Sequence, residues 1–175
     1  MTTLTEAPLK AMSFYSVFAS PLGDLILTSN GEGLTGLLLD EPEAGSDPRA
    51  HARPDDGPFV EIRRQLQAYF DGDLAEFDVS LALEGTPFQR KVWDELRRIP
   101  YGTTISYAEL ARRVGNPGAS RAVGTANGKN PIAVIVPCHR VIASDGSLGG
   151  YGGGIDRKQW LLSLEASAGR RVVRR

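Results

Sequence analysis

The chain has 175 residues, 41% of them apolar, a net charge of −1 and one cysteine, which is room for one domain or two small ones with a core built by burial alone. The lone thiol excludes a disulfide framework and a cysteine cage for a metal, and no apolar run approaches the roughly eighteen residues that a membrane helix needs. Residues 1–11 lack the basic start and apolar stretch of a signal peptide, so a cytoplasmic protein is expected.

Residues 14–18, 24–28 and 34–39 read as three strands, linked through Ser20-Pro21-Leu22-Gly23 and Asn30-Gly31-Glu32-Gly33. Links this short predict an antiparallel meander. Residues 41–58 are rich in Pro, Asp and Gly and predict a surface loop. Phe59, Ile62, Leu66 and the Tyr69-Phe70 pair recur at helical spacing, which predicts an amphipathic helix over 59–70. Another strand is expected over 77–83.

Thr86-Pro87-Phe88-Gln89 is a helix start: Thr86 caps, Pro87 suits the first helical position, and Gln89 completes a capping box. The helix should run to about residue 98, with Phe88, Val92, Trp93, Leu96 and Ile99 as its core stripe, and stop before Pro100-Tyr101-Gly102. Ser106 then caps a helix over 107–114, Gly115-Asn116-Pro117-Gly118 breaks the chain, and a second short helix covers 119–127. Two short helices about a tight Gly-containing turn fit a helix-turn-helix. The second is built of small residues, which suits close approach to another surface and equally suits tight helix packing.

Residues 131–136 are apolar and β-branched and predict a buried extended segment that delivers Cys138. Residues 145–154 are glycine-dense but carry neither the Lys-Ser/Thr ending of a phosphate loop nor a dinucleotide fingerprint between strand and helix. They suit a backbone that crowds a flat ligand. A last helix is expected over 155–166, with Trp160, Leu161 and Leu164 facing inward and residues 170–175 as a basic tail.

The near-neutral total hides a division. Residues 1–110 hold 9 basic and 18 acidic side chains, and residues 111–175 hold 11 and 3. No acid lies between residues 111 and 144, against Arg112, Arg113, Arg121, Lys129 and Arg140. A basic half of this kind suits a polyanionic partner, or balances an acidic neighbour.

Cys138 stands beside His139, one of two histidines in the chain. A free thiol titrates near about 8.5 and needs a base or a positive neighbour to act at neutral pH. In an extended chain adjacent side chains point to opposite faces, so direct contact between the two needs a turn, or a water between them. Glu165, the only acid after Asp156, is the candidate to orient the histidine. Taken alone, this constellation leaves open an inert core cysteine and a cysteine hydrolase.

Pro137-Cys138-His139-Arg140-Val141 resembles the active-site signature of the O6-alkylguanine-DNA alkyltransferases, the methylated-DNA–protein-cysteine methyltransferases. Tyr101-Gly102, Ser106-Tyr107, Arg121-Ala122-Val123-Gly124, Asn130-Pro131, Gly150-Tyr151 and Glu165 match around it. The likeness is strong over residues 86–166 and looser before them. It implies an α/β protein: an N-terminal antiparallel sheet plus helix, ribonuclease H-like, over residues 1–85, and a mostly helical winged helix-turn-helix domain over 86–175.

The resemblance further implies direct, irreversible, single-turnover alkyl transfer from O6-alkylguanine, and from O4-alkylthymine, in double-stranded DNA to Cys138. The protein would act as a monomer with no cofactor and no membrane. By that likeness the second helix enters the minor groove with Ser120, Arg121, Ala122, Thr125 and Ala126, and Arg121 fills the gap left by the flipped base. His139 takes the thiol proton through a water, held by Glu165. Tyr107 helps rotate the nucleotide and donates toward the base, while the Cys138 and Val141 carbonyls accept from it. Asn130 acts as a hinge, and Tyr151, Gly152 and Gly153 wall the pocket. Gly152 stands where some members carry a hydroxyl or larger side chain. With no cysteine before residue 138 and only His51 in the N-terminal half, the structural zinc of some relatives is excluded. The other reading to be weighed is a damaged-DNA-binding protein that transfers nothing.

Overall fold

The computed structural model describes residues 13–39 and 41–172. Residues 1–11, where no signal peptide is expected, and the end of the expected basic tail lie outside the described residues. Strands β1 (Phe14–Ser20), β2 (Gly23–Ser29) and β3 (Leu34–Leu38) form the expected meander: β1 pairs antiparallel with β2, and β2 with β3. The sheet is nevertheless mixed, not wholly antiparallel. Within the expected loop, the two-residue β4 (Arg53–Pro54) pairs parallel with β1, giving the order β3-β2-β1-β4. The Arg53 and Asp55 amides bond the Ser13 and Tyr15 carbonyls at 2.8 and 3.1 Å, which satisfies backbone groups that a bare sheet edge would expose. Helix α1 (Val60–Phe70) buries Ile62, Leu66 and Tyr69.

The other edge of the sheet decides where the thiol sits. Leu34 exchanges bonds with Ser80 and Ala82 at 2.9 and 2.8 Å, while Leu37 does so with Pro131 and Ala133 at 2.9 and 3.3 Å. Two segments thus share one five-residue strand. The strand expected over 77–83 and the extended segment expected over 131–136 do not form: each contributes a single bridge, Leu81 with Leu34 and Ile132 with Leu37. After that bridge the chain turns tightly, with Ile135 bonding back to Ala133 and Val136 to Ile132. Val134 takes a φ of 70°, where a β-branched residue rarely sits.

Helix α2 (Pro87–Arg97) starts with the full capping box, Thr86 accepting from the Gln89 amide and Gln89 from the Thr86 amide. Helices α3 (Tyr107–Arg113) and α4 (Ser120–Gly128) pack on each other and on α2. Strands β5 (Ile105–Ser106) and β6 (Val141–Ile142) pair in parallel, which ties the start of α3 to the segment just after Cys138. Helix α5 (Ile155–Val172) runs past its expected end. It buries Leu161 fully, but Trp160 is 36% exposed and lies against Phe70 at the rim, so it does not face inward. One buried cluster, from Leu27 through Trp93 to Val136, joins both halves. No described helix is long and apolar enough to cross a membrane.

Candidate active site

Cys138 opens a single 3-10 turn, Cys138–Arg140, rather than ending a strand. Its amide bonds the Val136 carbonyl at 2.8 Å, and its own carbonyl accepts from Asn127 Nδ2 at 3.4 Å. The tight turn at 131–136 is pinned by Asn130, which donates to the Val136 carbonyl at 2.7 Å and accepts from the Ile132 amide at 3.0 Å. Cys138 lies at a pocket of about 650 Å³. Burial pushes its thiol up, and the Asn130 amide and the Lys158 charge pull it partly back. The sulfur therefore rests as a thiol and needs a base at the moment of attack.

The next residue, His139, is the candidate base. His139 is fully buried and its Nε2 meets Glu165 Oε1 at 2.8 Å. Burial drives the imidazole toward its neutral form, against the pull of Glu165. Burial alone would raise the Glu165 carboxyl, but bonds from His139 and Arg140 outweigh it and hold the pKa down at about 2. An ionised Glu165 only accepts, so Nε2 carries the proton and Nδ1 keeps its lone pair. Among the described residues, no protein group takes that lone pair.

Glu165 is gripped on all sides. Arg140 is bidentate, Nε to Oε2 and Nη2 to Oε1, both at 2.9 Å, and its third bond goes to the Ile99 carbonyl at 2.7 Å. The Gly102 amide reaches Oε2 at 3.2 Å and Tyr69 Oη reaches Oε1 at 2.7 Å. Gly102 holds a φ of 74°, and a Cβ there would meet the Glu165 carbonyl at 3.3 Å, so glycine is needed for this approach. The arrangement sets a neutral imidazole next in sequence to a pocket-lining thiol, a pairing that covalent catalysis by cysteine can use.

Residues 13–83 match the family model of the 6-O-methylguanine DNA methyltransferase ribonuclease-like domain, and residues 87–167 that of the 6-O-methylguanine DNA methyltransferase DNA-binding domain. The chain belongs to the O6-methylguanine DNA methyltransferase family. It is 54% identical to the methylated-DNA–protein-cysteine methyltransferase of Mycobacterium tuberculosis, covering 89% of this chain and 94% of that one. It is 49% identical to the Methanosarcina acetivorans methyltransferase, covering 88% and 99%. The crystal structure of Mycobacterium tuberculosis OGT in complex with DNA superposes with a TM-score of 0.83 at 54% identity, covering 89% of this chain and 94% of that one.

In this methyltransferase fold, the pocket brings together Tyr107, Asn130, Cys138, Tyr151, Gly152 and Gly153 of the expected residues. A Cβ on Gly153 would strike Leu39 at 2.5 Å, whereas one on Gly152 would meet nothing within 4 Å. On α4, Arg121, Ala122 and Thr125 are exposed and Ser120 is half-buried. Ala126 departs from expectation: it is buried, and its carbonyl accepts from Trp93 Nε1 at 2.9 Å, so it faces the core. The basic segment also divides. Arg140 is buried in the relay, Arg112 and Arg113 bond Glu109 at 2.7 and 2.8 Å, and Lys129 and Arg121 are exposed.

The sequence did not reveal four contributors. Leu37, Leu38 and Leu39 and the loop from Glu41 wall the pocket from the N-terminal half. Arg140 and Tyr69 complete the Glu165 cradle. Lys158 is fully buried, and its Nζ donates to the Val141, Leu148 and Gly150 carbonyls at 2.6, 2.5 and 3.3 Å. That clamp closes the glycine loop over the pocket. Lys158→Met keeps the length but removes the three donors, so amide exchange over residues 143–150 is expected to quicken and alkyl transfer to slow. Exchange unchanged from the parent protein would show that the loop holds without the clamp.

Proposed function

We propose that this chain repairs DNA in the cytoplasm by moving the alkyl group of O6-alkylguanine, and of O4-alkylthymine, irreversibly onto the sulfur of Cys138. The observation that carries the reading is the buried Cys138 at the pocket beside a neutral His139 whose proton-bearing Nε2 is fixed by an ionised Glu165. His139 Nδ1 takes the thiol proton through a water. The sulfur attacks the alkyl carbon, the carbon–O6 bond breaks, and its electron pair stays on the base. Tyr107, kept neutral because burial and then the nearby Cys138 push its phenol up, donates toward the leaving base. A thioether offers water no good leaving group, so the protein reacts once.

Residues 1–85 supply one wall of the pocket and residues 86–175 the DNA-binding and catalytic half. A monomer presents α4 to the minor groove of duplex DNA, with Ser120, Ala122 and Thr125 small enough to let the backbone close on it. Arg121 fills the stack behind the flipped base. Flipping costs a few kcal/mol, less where damage has weakened pairing. The Val141 carbonyl already accepts from Lys158, which leaves one of its two lone pairs for the guanine amino group. Phosphate and backbone contacts rather than base-edge readers suit a protein that must act at any sequence.

Incubation with excess duplex carrying O6-methylguanine tests this. Lesion removal is expected to stop at one per protein molecule. Continued removal would make the chain a hydrolase, and binding without removal would make it a damage sensor; either overturns the proposal.

A further inference from the structure

Tyr69 lies on α1, outside the half that carries the thiol, yet its Oη donates to Glu165 Oε1 at 2.7 Å across 96 residues of sequence. The tyrosine is fully buried. Its ring is packed against Phe70, Phe77 and Tyr101 with centroids 5.5, 5.2 and 6.0 Å away. Phenylalanine would fill that aromatic nest equally well. The hydroxyl adds only the bond to Glu165, and a buried phenol requires such a partner.

Three donors converge on Glu165 Oε1: Tyr69 Oη, His139 Nε2 and Arg140 Nη2. Donors on one oxygen share its negative charge, so the bond from Tyr69 weakens the hold of Glu165 on a protonated His139. We propose that Tyr69 is a positioning residue for alkyl transfer, the means by which the N-terminal half sets the basicity of His139 through Glu165. The proposal rests on reading His139 as the base for Cys138. The groups facing the imidazole act in opposite senses: Glu165 on α5 favours its protonation, while Arg140 on the same turn and Lys158 on α5 oppose it. Tyr101 stands edge-on to Tyr69 and under the Arg140 guanidinium. Tyr69 tunes this balance without touching the substrate.

Two replacements at Tyr69 separate this role from packing. Tyr69→Phe removes the donor, so His139 becomes a stronger base and its titration moves to higher pH by about half a unit or more. Difluorotyrosine at position 69, introduced by codon suppression, donates more strongly in nearly the same shape and moves the titration the other way. Nitrogen NMR of His139 reads both shifts without any activity, and the acid limb of the single-turnover rate should move with them. Opposed shifts with unchanged DNA affinity support the proposal. No shift in folded variants, or shifts of the same sign, overturns it; if Tyr69→Phe fails to fold, the fluorinated protein alone decides. A shifted His139 in a protein whose Cys138 never accepts a methyl group would fault the proposed function and leave the role of Tyr69 in setting His139 basicity intact.

Discussion

Cys138→Ser is expected to lose alkyl transfer entirely while binding duplex DNA within about twofold of the parent protein. Oxygen is smaller than sulfur and adds no bulk, and the bonds of the turn at 138–140 to Val136 and Asn127 are made by the backbone, so they persist. The hydroxyl is a far weaker nucleophile, and His139, already driven neutral by burial, is too weak a base to ionise it. The exposed face of α4 does not involve the thiol, so affinity should not depend on it. Transfer assayed by loss of O6-methylguanine and affinity by titration give the two readouts. A variant that lost both together would show the cysteine to be a structural residue.

Glu165→Gln is expected to damage both chemistry and stability. The carboxylate takes bonds from Arg140, His139, Tyr69 and the Gly102 amide. A neutral amide cannot accept them all and turns its own NH2 toward one of these donors. Arg140, buried beside it, is left without its counter-charge, a loss of about 3–5 kcal/mol, or a fall in melting temperature of roughly 10 °C. His139 loses the acceptor that fixes its tautomer, which should slow transfer at least about 100-fold.

The same carboxylate predicts the acid behaviour. Its pKa is held at about 2 in the folded protein, below the unfolded value near about 4.3. Its contribution is therefore present above the unfolded pKa and lost as pH falls from there toward about 2. The Glu165→Gln protein should lose less stability than the parent across that window. Parallel acid-unfolding curves would remove Glu165 from the account.

The features legible in the sequence were those written in neighbouring residues. The capping box of α2, the Ser106 cap, the broken helix pair and the Cys138-His139 signature each need only a few positions to be read. What escaped depends on long-range geometry. Residues 131–136 have strand composition, but the edge of β3 is shared with residues 80–82, and the chain must turn at once to set Cys138 in the pocket. Arg140 stands in the signature, but its neighbours do not tell that it closes on Glu165, 25 positions away. The spacing of Tyr69 marks it as core, where it lies, yet spacing carries no information about where a hydroxyl ends. Lys158 has the pattern of any helical lysine, because the carbonyls it gathers, from β6 and the glycine loop, carry no side-chain signal. Ala126 shares the small-residue composition of its exposed neighbours on α4, but one helical position past Thr125 turns it inward.

Peptide mapping of the protein after reaction with a methylated duplex tests the central claim most directly. One methyl group on the sulfur of Cys138, with every other peptide unchanged and the guanine restored, is the expected result. A restored guanine with that thiol still free, or the methyl group found on a different residue, would contradict it.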